Sequence, residues 1–128
     1  VVAAPSHPLV PSKQLSLVDL GDFSWILQPR PSPMRMSIEL AFAHADLPAP
    51  HYGLETSSML MTTLAVGKSD MLAVLPQSVA DYYQENGLIR ILPVRLEEHM
   101  SRYGLLIPNK DEFDPEVEAL VSLIRASV

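Results

Sequence analysis

Short apolar runs alternate along the chain with longer segments whose apolar residues recur at helical spacing. Residues 23–28 predict a strand, and prolines at 29, 31 and 33 force a sharp loop after it. Ser32 is placed to cap the following helix, and Pro33 suits its first position, where a missing N–H costs nothing. This helix is expected to end near Asp46, and its predicted buried stripe consists of Met34, Ile38, Ala41, Phe42 and Ala45.

A second strand and capped helix follow. Residues 51–55 predict the strand, and the hydroxyls of Thr56, Ser57 and Ser58 can accept hydrogen bonds from the first N–H groups of the helix. Gly67 is expected to end this helix. The predicted apolar stripe consists of Met59, Leu60, Leu64 and Ala65.

The pattern then changes to unbroken apolar runs. Residues 71–75 show no alternation, which is typical of a parallel strand covered on both faces, and Pro76 stops it because it cannot donate to the sheet. A helix is expected through about Glu85, with Asn86-Gly87 as its C-terminal stop. Residues 88–92 predict another short strand.

The two ends of the chain carry further elements. Residues 1–11 predict a strand running into a loop, after which Ser16 can cap a short turn through Asp19. Residues 103–107 predict a strand and residues 109–112 a turn. Asp114-Pro115-Glu116 indicates the start of a helix whose apolar stripe consists of Val117, Leu120, Val121 and Ile124.

Alternating strands and helices of this kind predict an α/β fold with a Rossmann-like sheet and flanking helices. Ligands of such sheets bind at the carboxyl ends of the strands, where helix N-termini present free N–H groups. Two chain corners have this position, at residues 28–32 and residues 55–58, and both are rich in polar donors. Arg30 adds a cation suited to a carboxylate or a phosphate. Serine and threonine before a helix, however, most often serve only as caps.

Composition limits the function classes. The 128 residues suit one domain, and the net charge of −6 argues against direct binding of a phosphate backbone. The absence of cysteine removes disulfides, thiolate catalysis and cysteine zinc sites, and is compatible with the cytoplasm. No apolar run approaches the roughly 20 residues that span a bilayer, and the first residues lack the features of a signal peptide.

Catalysis and metal binding have little support in the residues. A hydrolase would need Ser57 or Ser58 beside a histidine, but no Gly-x-Ser-x-Gly elbow is present to activate the serine. His44, Asp46 and His51 are separated by prolines and lack the periodicity of metal ligands. The sequence therefore predicts no enzyme activity, no metal and no cofactor.

Several short motifs occur in a recognisable order. They are WILQPRPSP, a helix closing in LPAP, ETSSML, and a Gly-x-x-x-apolar run closing in Leu-Pro, preceded by His7-Pro8-Leu9 with Leu17-Val18-Asp19-Leu20 and followed by LIRILP at residues 88–93. In this order and spacing the chain resembles the effector-binding domain of LysR-type bacterial transcriptional regulators over nearly its whole length. One departure is Ser69, which stands where the family usually has a second glycine.

The resemblance implies a periplasmic-binding-protein-like fold of two subdomains. About residues 20–94 would be the complete second subdomain, and residues 1–19 and 95–128 the returning part of the first. The closing helix would then leave an apolar surface that only the rest of the first subdomain or a second copy could cover. The remaining part of the first subdomain and a winged helix-turn-helix would lie outside this fragment.

The resemblance also implies a function, a site and partners. The domain would bind a small effector, such as a sugar or an organic or aromatic acid, and act as a homodimer or tetramer in the cytoplasm. It would reach DNA only through a domain outside this chain and would not contact a membrane. A solute-binding protein of a transporter is the alternative, because it shares the two-lobed plan. Effector contacts would come from Arg30, Ser32, Thr56, Ser57 and Ser58, with Pro76 as a weaker candidate.

Overall fold

The computed structural model describes residues 1–96 and 114–126. The strand predicted at residues 103–107 and the turn predicted at residues 109–112 lie outside these ranges. Within the described ranges the strands are β1 (Val2–Ala3), β2 (Trp25–Leu27), β3 (Tyr52–Glu55), β4 (Leu72–Ala73) and β5 (Arg90–Ile91). The α-helices of these ranges are α1 (Pro33–His44), α2 (Met59–Val66), α3 (Gln77–Glu85) and α4 (Pro115–Ala126), and Val18–Leu20 forms one turn of 3₁₀-helix.

The strands form one mixed sheet in the order β3-β2-β4-β1-β5. Strand β2 is parallel to both β3 and β4, whereas β1 is antiparallel to β4 and β5. The three parallel strands are joined through α1 and α2, as the alternating pattern predicts. The α/β fold class is therefore confirmed. The division of the chain between two subdomains stays a prediction.

Side chains from the two faces of the sheet form two apolar clusters. Trp25 and Leu27 of β2 pack on the α1 side with Ile38 and Phe42, while Ile26 points to the opposite side with Val66 of α2 and Ala80 of α3. This alternation is the two-residue period of a strand. The Trp25 ring is fully buried and meets Phe42 edge-on, with centroids 5.8 Å apart. Trp25 therefore packs between the sheet and α1.

The predicted start and stop signals of three helices are confirmed. Ser32 caps α1 with Pro33 at its first position, Ser58 caps α2, and Gly87 follows α3 in the left-handed conformation at φ 71°. Ser69, at the position of the missing family glycine, closes the turn after α2 with its side chain. Its hydroxyl donates to the Ala65 carbonyl at 2.7 Å and accepts from the Met71 N–H at 3.2 Å.

The predicted stripe of α2 is right for Met59 and Ala65, which are half-buried against the apolar cluster, and wrong for its two leucines. Leu60 and Leu64 are 62% and 47% exposed, and the buried residues are instead Thr62, Thr63 and Val66. Because this helix is apolar nearly all round, its pattern does not identify one face. The two threonines can be buried because their hydroxyls donate to the carbonyls of Ser58 and Met59, four residues earlier, at 3.0 and 2.9 Å.

Two smaller expectations also need correction. Ala45 was expected in the buried stripe of α1, but it follows the last helical turn and is exposed. Ser16 does not cap the short turn. The Asp19 carboxylate accepts hydrogen bonds from both the Ser16 N–H and the Ser16 hydroxyl, each at 2.7 Å, because a carboxylate is the stronger acceptor.

Helix α4 begins at its predicted start, but none of its residues is buried. Within its apolar stripe Val117 is 41% and Leu120 is 56% exposed, while Val121 and Ile124 are half-buried. Leu123 adds a further side chain that is 69% exposed. Apolar surface is thus present on the closing helix, as expected, and what covers it stays a prediction.

Candidate functional site

The carboxyl ends of β2, β3 and β4 lie at one edge of the sheet, and each strand is followed by a helix that starts there. The α1 corner (residues 28–32) follows β2, and the α2 corner (residues 55–58) follows β3. A hydrogen bond of 3.0 Å from the Thr56 N–H to the carbonyl of Leu27, the last residue of β2, pairs the ends of the two strands. The two corners therefore follow neighbouring strand ends at this edge of the sheet.

A recess opens where the corners meet. Its cavity volume is about 10 Å³, the space of roughly one water molecule. Among the predicted site residues Thr56 lines it. The lining consists of Ile26, Leu27, Gln28, Met34, Arg35, Ile38, Thr56, Met59, Thr62, Val74 and Leu75.

The polar residues of the α1 corner mainly bond to one another and to their own helix. Ser32 is 6% exposed, accepts from the Arg35 N–H at 3.5 Å and donates to Gln28 Oε1. The Arg30 side chain is 68% exposed, and its Nη2 donates to Glu39 Oε1 at 2.8 Å. Ser32 thus serves as a helix cap, and Arg30 forms an ion pair along α1.

Hydroxyls of the α2 corner order the start of their helix. Ser58 Oγ accepts from the Met61 N–H at 3.3 Å, and Thr56 Oγ1 accepts from the Ser58 N–H at 3.1 Å. Ser57 is exposed. Pro76, at the end of the neighbouring strand, is half-buried and directly precedes α3. Thr56 is therefore the residue of this corner that both orders the backbone and faces the recess.

Arg35 is the polar residue of the site that the sequence analysis missed. It is 6% exposed, lines the recess, and donates from Nε to Glu39 Oε1 at 2.8 Å. From Nη1 it donates to the Gln28 carbonyl at 3.1 Å and to Glu55 Oε2 at 2.5 Å. Its guanidinium carbon also lies 4.9 Å from the centroid of the Tyr52 ring. One side chain thus connects the two corners.

These contacts change the pKa values of Arg35 and Glu39. Hydrogen bonds to Glu39 and then to Glu55 raise the pKa of Arg35 above its usual value. Burial by itself would raise the pKa of Glu39, but hydrogen bonds from Arg35 and Arg30 outweigh it and hold that pKa below its usual value. The i, i+4 spacing of Arg35 and Glu39 was visible in the sequence. The partnership with Glu55 was not, because 20 residues separate the two.

Within residues 1–96 and 114–126, no three His, Asp or Glu side chains lie close enough to hold a metal ion. None of the helices in those ranges has the length and hydrophobicity to cross a bilayer.

Comparisons with known proteins agree with the motif order. The chain is 26% identical over 127 residues to the HTH-type transcriptional regulator GbpR of Azospirillum brasilense, covering 98% of this chain and 37% of that protein. It is 29% identical over 125 residues to the HTH-type transcriptional regulator GalR of Pseudomonas putida, covering 98% of this chain and 31% of that protein. The chain therefore spans about a third of the length of these relatives.

The family model described as the LysR substrate binding domain matches residues 1–128. Its match agrees with the mixed α/β architecture of the sheet and its flanking helices. Named regulators among the relatives do not favour the transporter alternative. The chain belongs to the LysR substrate-binding domain family and is a ligand-sensing regulatory domain.

Proposed function

We propose that this chain is the effector-sensing part of a longer bacterial LysR-type transcription factor and that a separate winged helix-turn-helix domain binds DNA. The family match over residues 1–128 carries this proposal. It is supported by the names of the relatives, which are HTH-type transcriptional regulators about three times as long as the chain. The net charge of −6 agrees with DNA contacts made elsewhere.

The effector binds at the sheet edge, between the α1 corner and the α2 corner. Thr56 has the strongest support, because it lines the recess. The exposed hydroxyl of Ser57 and the exposed guanidinium of Arg30 lie on the two corners that flank it and contact the parts of the effector that extend outward. Ser32, Ser58 and Pro76 contribute by fixing the start of α1, α2 and α3.

Binding changes the arrangement of two or more copies and so changes the affinity for an operator. A coupling free energy of about 1–3 kcal/mol suffices, provided that the effector prefers one arrangement. The apolar side chains of α4 are candidates for the surface that packs against the rest of the protein. The domain alters no bond of its effector and works in the cytoplasm.

The test uses the full-length regulator and a DNA fragment of its own promoter region. Operator affinity is measured by fluorescence anisotropy while single metabolites, including sugars and organic or aromatic acids, are added at fixed ionic strength. A metabolite is expected to change the apparent Kd by about 5- to 150-fold. If no metabolite that binds the protein changes operator affinity, the proposal is wrong.

A variant pair tests the role of Thr56. Thr56→Val removes the hydroxyl at the recess, and Thr56→Ser retains it. Effector affinity should fall in the first and be kept in the second, because only the first loses the hydrogen-bonding group. Ser78→Ala is the matched control, since it removes an exposed hydroxyl on α3.

A further inference from the structure

Arg35 presents a cation to an almost closed recess. The side chain is 6% exposed, it lines the cavity, and its Nη1 atom donates both to the Gln28 carbonyl and to the Glu55 carboxylate. A guanidinium is the side chain best suited to a planar anion, because its parallel N–H groups match two carboxylate oxygens. The chemistry offered to a ligand at this point is therefore that of a carboxylate receptor.

The two carboxylates that bind Arg35 are held differently. Glu39 is 21% exposed and accepts from both Arg35 and Arg30, so two cations fix it. The Glu55 side chain is 42% exposed, and among the described residues its carboxylate has Arg35 as its hydrogen-bond partner. Glu55 is also the last residue of β3 and directly precedes Thr56, which lines the recess. It can therefore turn toward water without disturbing the sheet.

We propose that Glu55 is an internal stand-in for the effector: a carboxylate group of the effector binds Arg35 at Nη1 and displaces the Glu55 side chain into solvent. This inference rests on the proposed function and assigns the chemical class of the effector as a small organic acid. Arg35 thereby becomes an effector-binding residue in addition to those on the corner loops.

Charge balance supports an exchange of one acid for another. Replacing Glu55 by an effector carboxylate leaves the buried guanidinium with two anionic partners, Glu39 and the ligand. A neutral ligand in the same place would separate Arg35 from Glu55 and replace an ionic partner by a weaker one. The site thus favours acids over their neutral analogues.

Space for the rest of the ligand comes from flexible lining residues. The recess holds about 10 Å³ when Glu55 is in place, so binding must widen it. Met34 and Met59 line it and have unbranched side chains that readily change rotamer. Thr56 Oγ1 accepts from the Ser58 N–H, so its own hydrogen can be donated to a second ligand oxygen.

The experiment compares acids with their neutral analogues on the full-length regulator. Probes are acetate, succinate and benzoate, each paired with its amide, and binding is followed by thermal shift and by isothermal titration at constant ionic strength. At least one acid should raise Tm and bind saturably, and its amide should not.

Variants then test the displacement. Glu55→Gln removes the competing charge at nearly constant size, so the acid should bind roughly two- to fivefold tighter, the range expected for releasing a half-exposed ion pair. Glu85→Gln, an exposed glutamate at the end of α3, is the matched charge control and should bind as the parent does. Arg35→Lys should weaken binding while its circular dichroism spectrum stays that of the parent.

Three results would overturn the inference. One is an acid that binds Glu55→Gln no tighter than the parent, and another is a panel in which no acid binds. The third is an amide that binds while its acid does not, which would leave ligand sensing intact and remove only the carboxylate assignment. Failure of the proposed function is separate: the acid would bind as described, yet the operator affinity of the full-length protein would not change.

Discussion

Helices α1 and α2 each follow a strand and begin at a capping serine, yet the two helices are stabilised differently. Helix α1 buries one clear stripe and adds Arg35 and Glu39, which tie it to neighbouring elements. Helix α2 has no charged side chain and buries two threonines and a valine while its leucines face outward. The comparison shows that a local pattern identifies the buried face only when polar residues mark the opposite one.

The largest expected difference between α1 and α2 is in how much stability is lost when an apolar side chain is truncated. Phe42→Ala on α1 should lower the free energy of unfolding by about 3–5 kcal/mol, because Phe42 is 1% exposed and meets Trp25 edge-on. Leu60→Ala on α2, at 62% exposure, should change it by less than about 0.5 kcal/mol in the isolated chain. Urea denaturation of both variants measures the difference.

The stability lost on Leu60→Ala also shows whether another part of the full-length protein covers the exposed face of α2. If Leu60→Ala is neutral in the isolated chain but costs more than about 1 kcal/mol in the full-length protein, another part of the protein covers this face. Equal costs for Phe42→Ala and Leu60→Ala in the isolated chain would contradict the buried face described for α2.

A loss of stability of intermediate size is expected when either helix cap is removed. Ser32→Ala should cost about 1–2 kcal/mol, because Ser32 is buried and bonds both the Arg35 N–H and Gln28. Ser58→Ala should cost about 0.5–1 kcal/mol, since its hydroxyl is exposed and caps only the Met61 N–H. Thermal unfolding of the two variants gives the order, and a larger loss at Ser58 would reverse the comparison.

The smallest expected effect is a pH dependence of stability that comes from Glu39 on α1 and has no counterpart on α2, which has no charged side chain. The pKa of Glu39 is held below its ordinary value, so the unfolded chain takes up the proton first as pH falls. The stabilisation by Glu39 is therefore complete above the ordinary glutamate pKa of about 4.5 and is lost as pH falls below that value, through the folded pKa.

Glu39→Gln should remove this part of the pH dependence, whereas Glu85→Gln should leave it. Chemical denaturation at steps between pH 3 and 7 measures it as the difference in slope between each variant and the parent. A parent and a Glu39→Gln variant with the same slope would show that the two guanidiniums do not stabilise the Glu39 carboxylate.

Sequence patterns predicted most of the local structure at both corners. The position of Ser32 and Pro33, the cap at Ser58 and the stop at Gly87 are properties of single residues and their immediate neighbours, so they could be identified without knowledge of the fold. Thr56 was chosen as a site residue because the family resemblance implies effector contacts at the corner after β3, and it lines the recess. Its role in binding an effector stays a prediction.

Features that depend on distant parts of the chain could not be predicted in this way. In the sequence Arg35 is indistinguishable from an ordinary helical residue. Its partner Glu55 becomes visible only in the fold, where β3 lies beside α1. Strand β1 lies between β4 and β5, and nothing in its own residues specifies that antiparallel pairing.

Local sequence signals are enough to place the starts and ends of the helices and the alternation of strands with them, because caps, prolines and glycines act within a few residues through backbone hydrogen bonds and allowed dihedral angles. The buried face of α2 and the arginine that joins both corners, in contrast, depend on the folded arrangement of the whole domain. Burial and ion pairing depend on which surfaces meet, and residues far apart in the chain supply those surfaces.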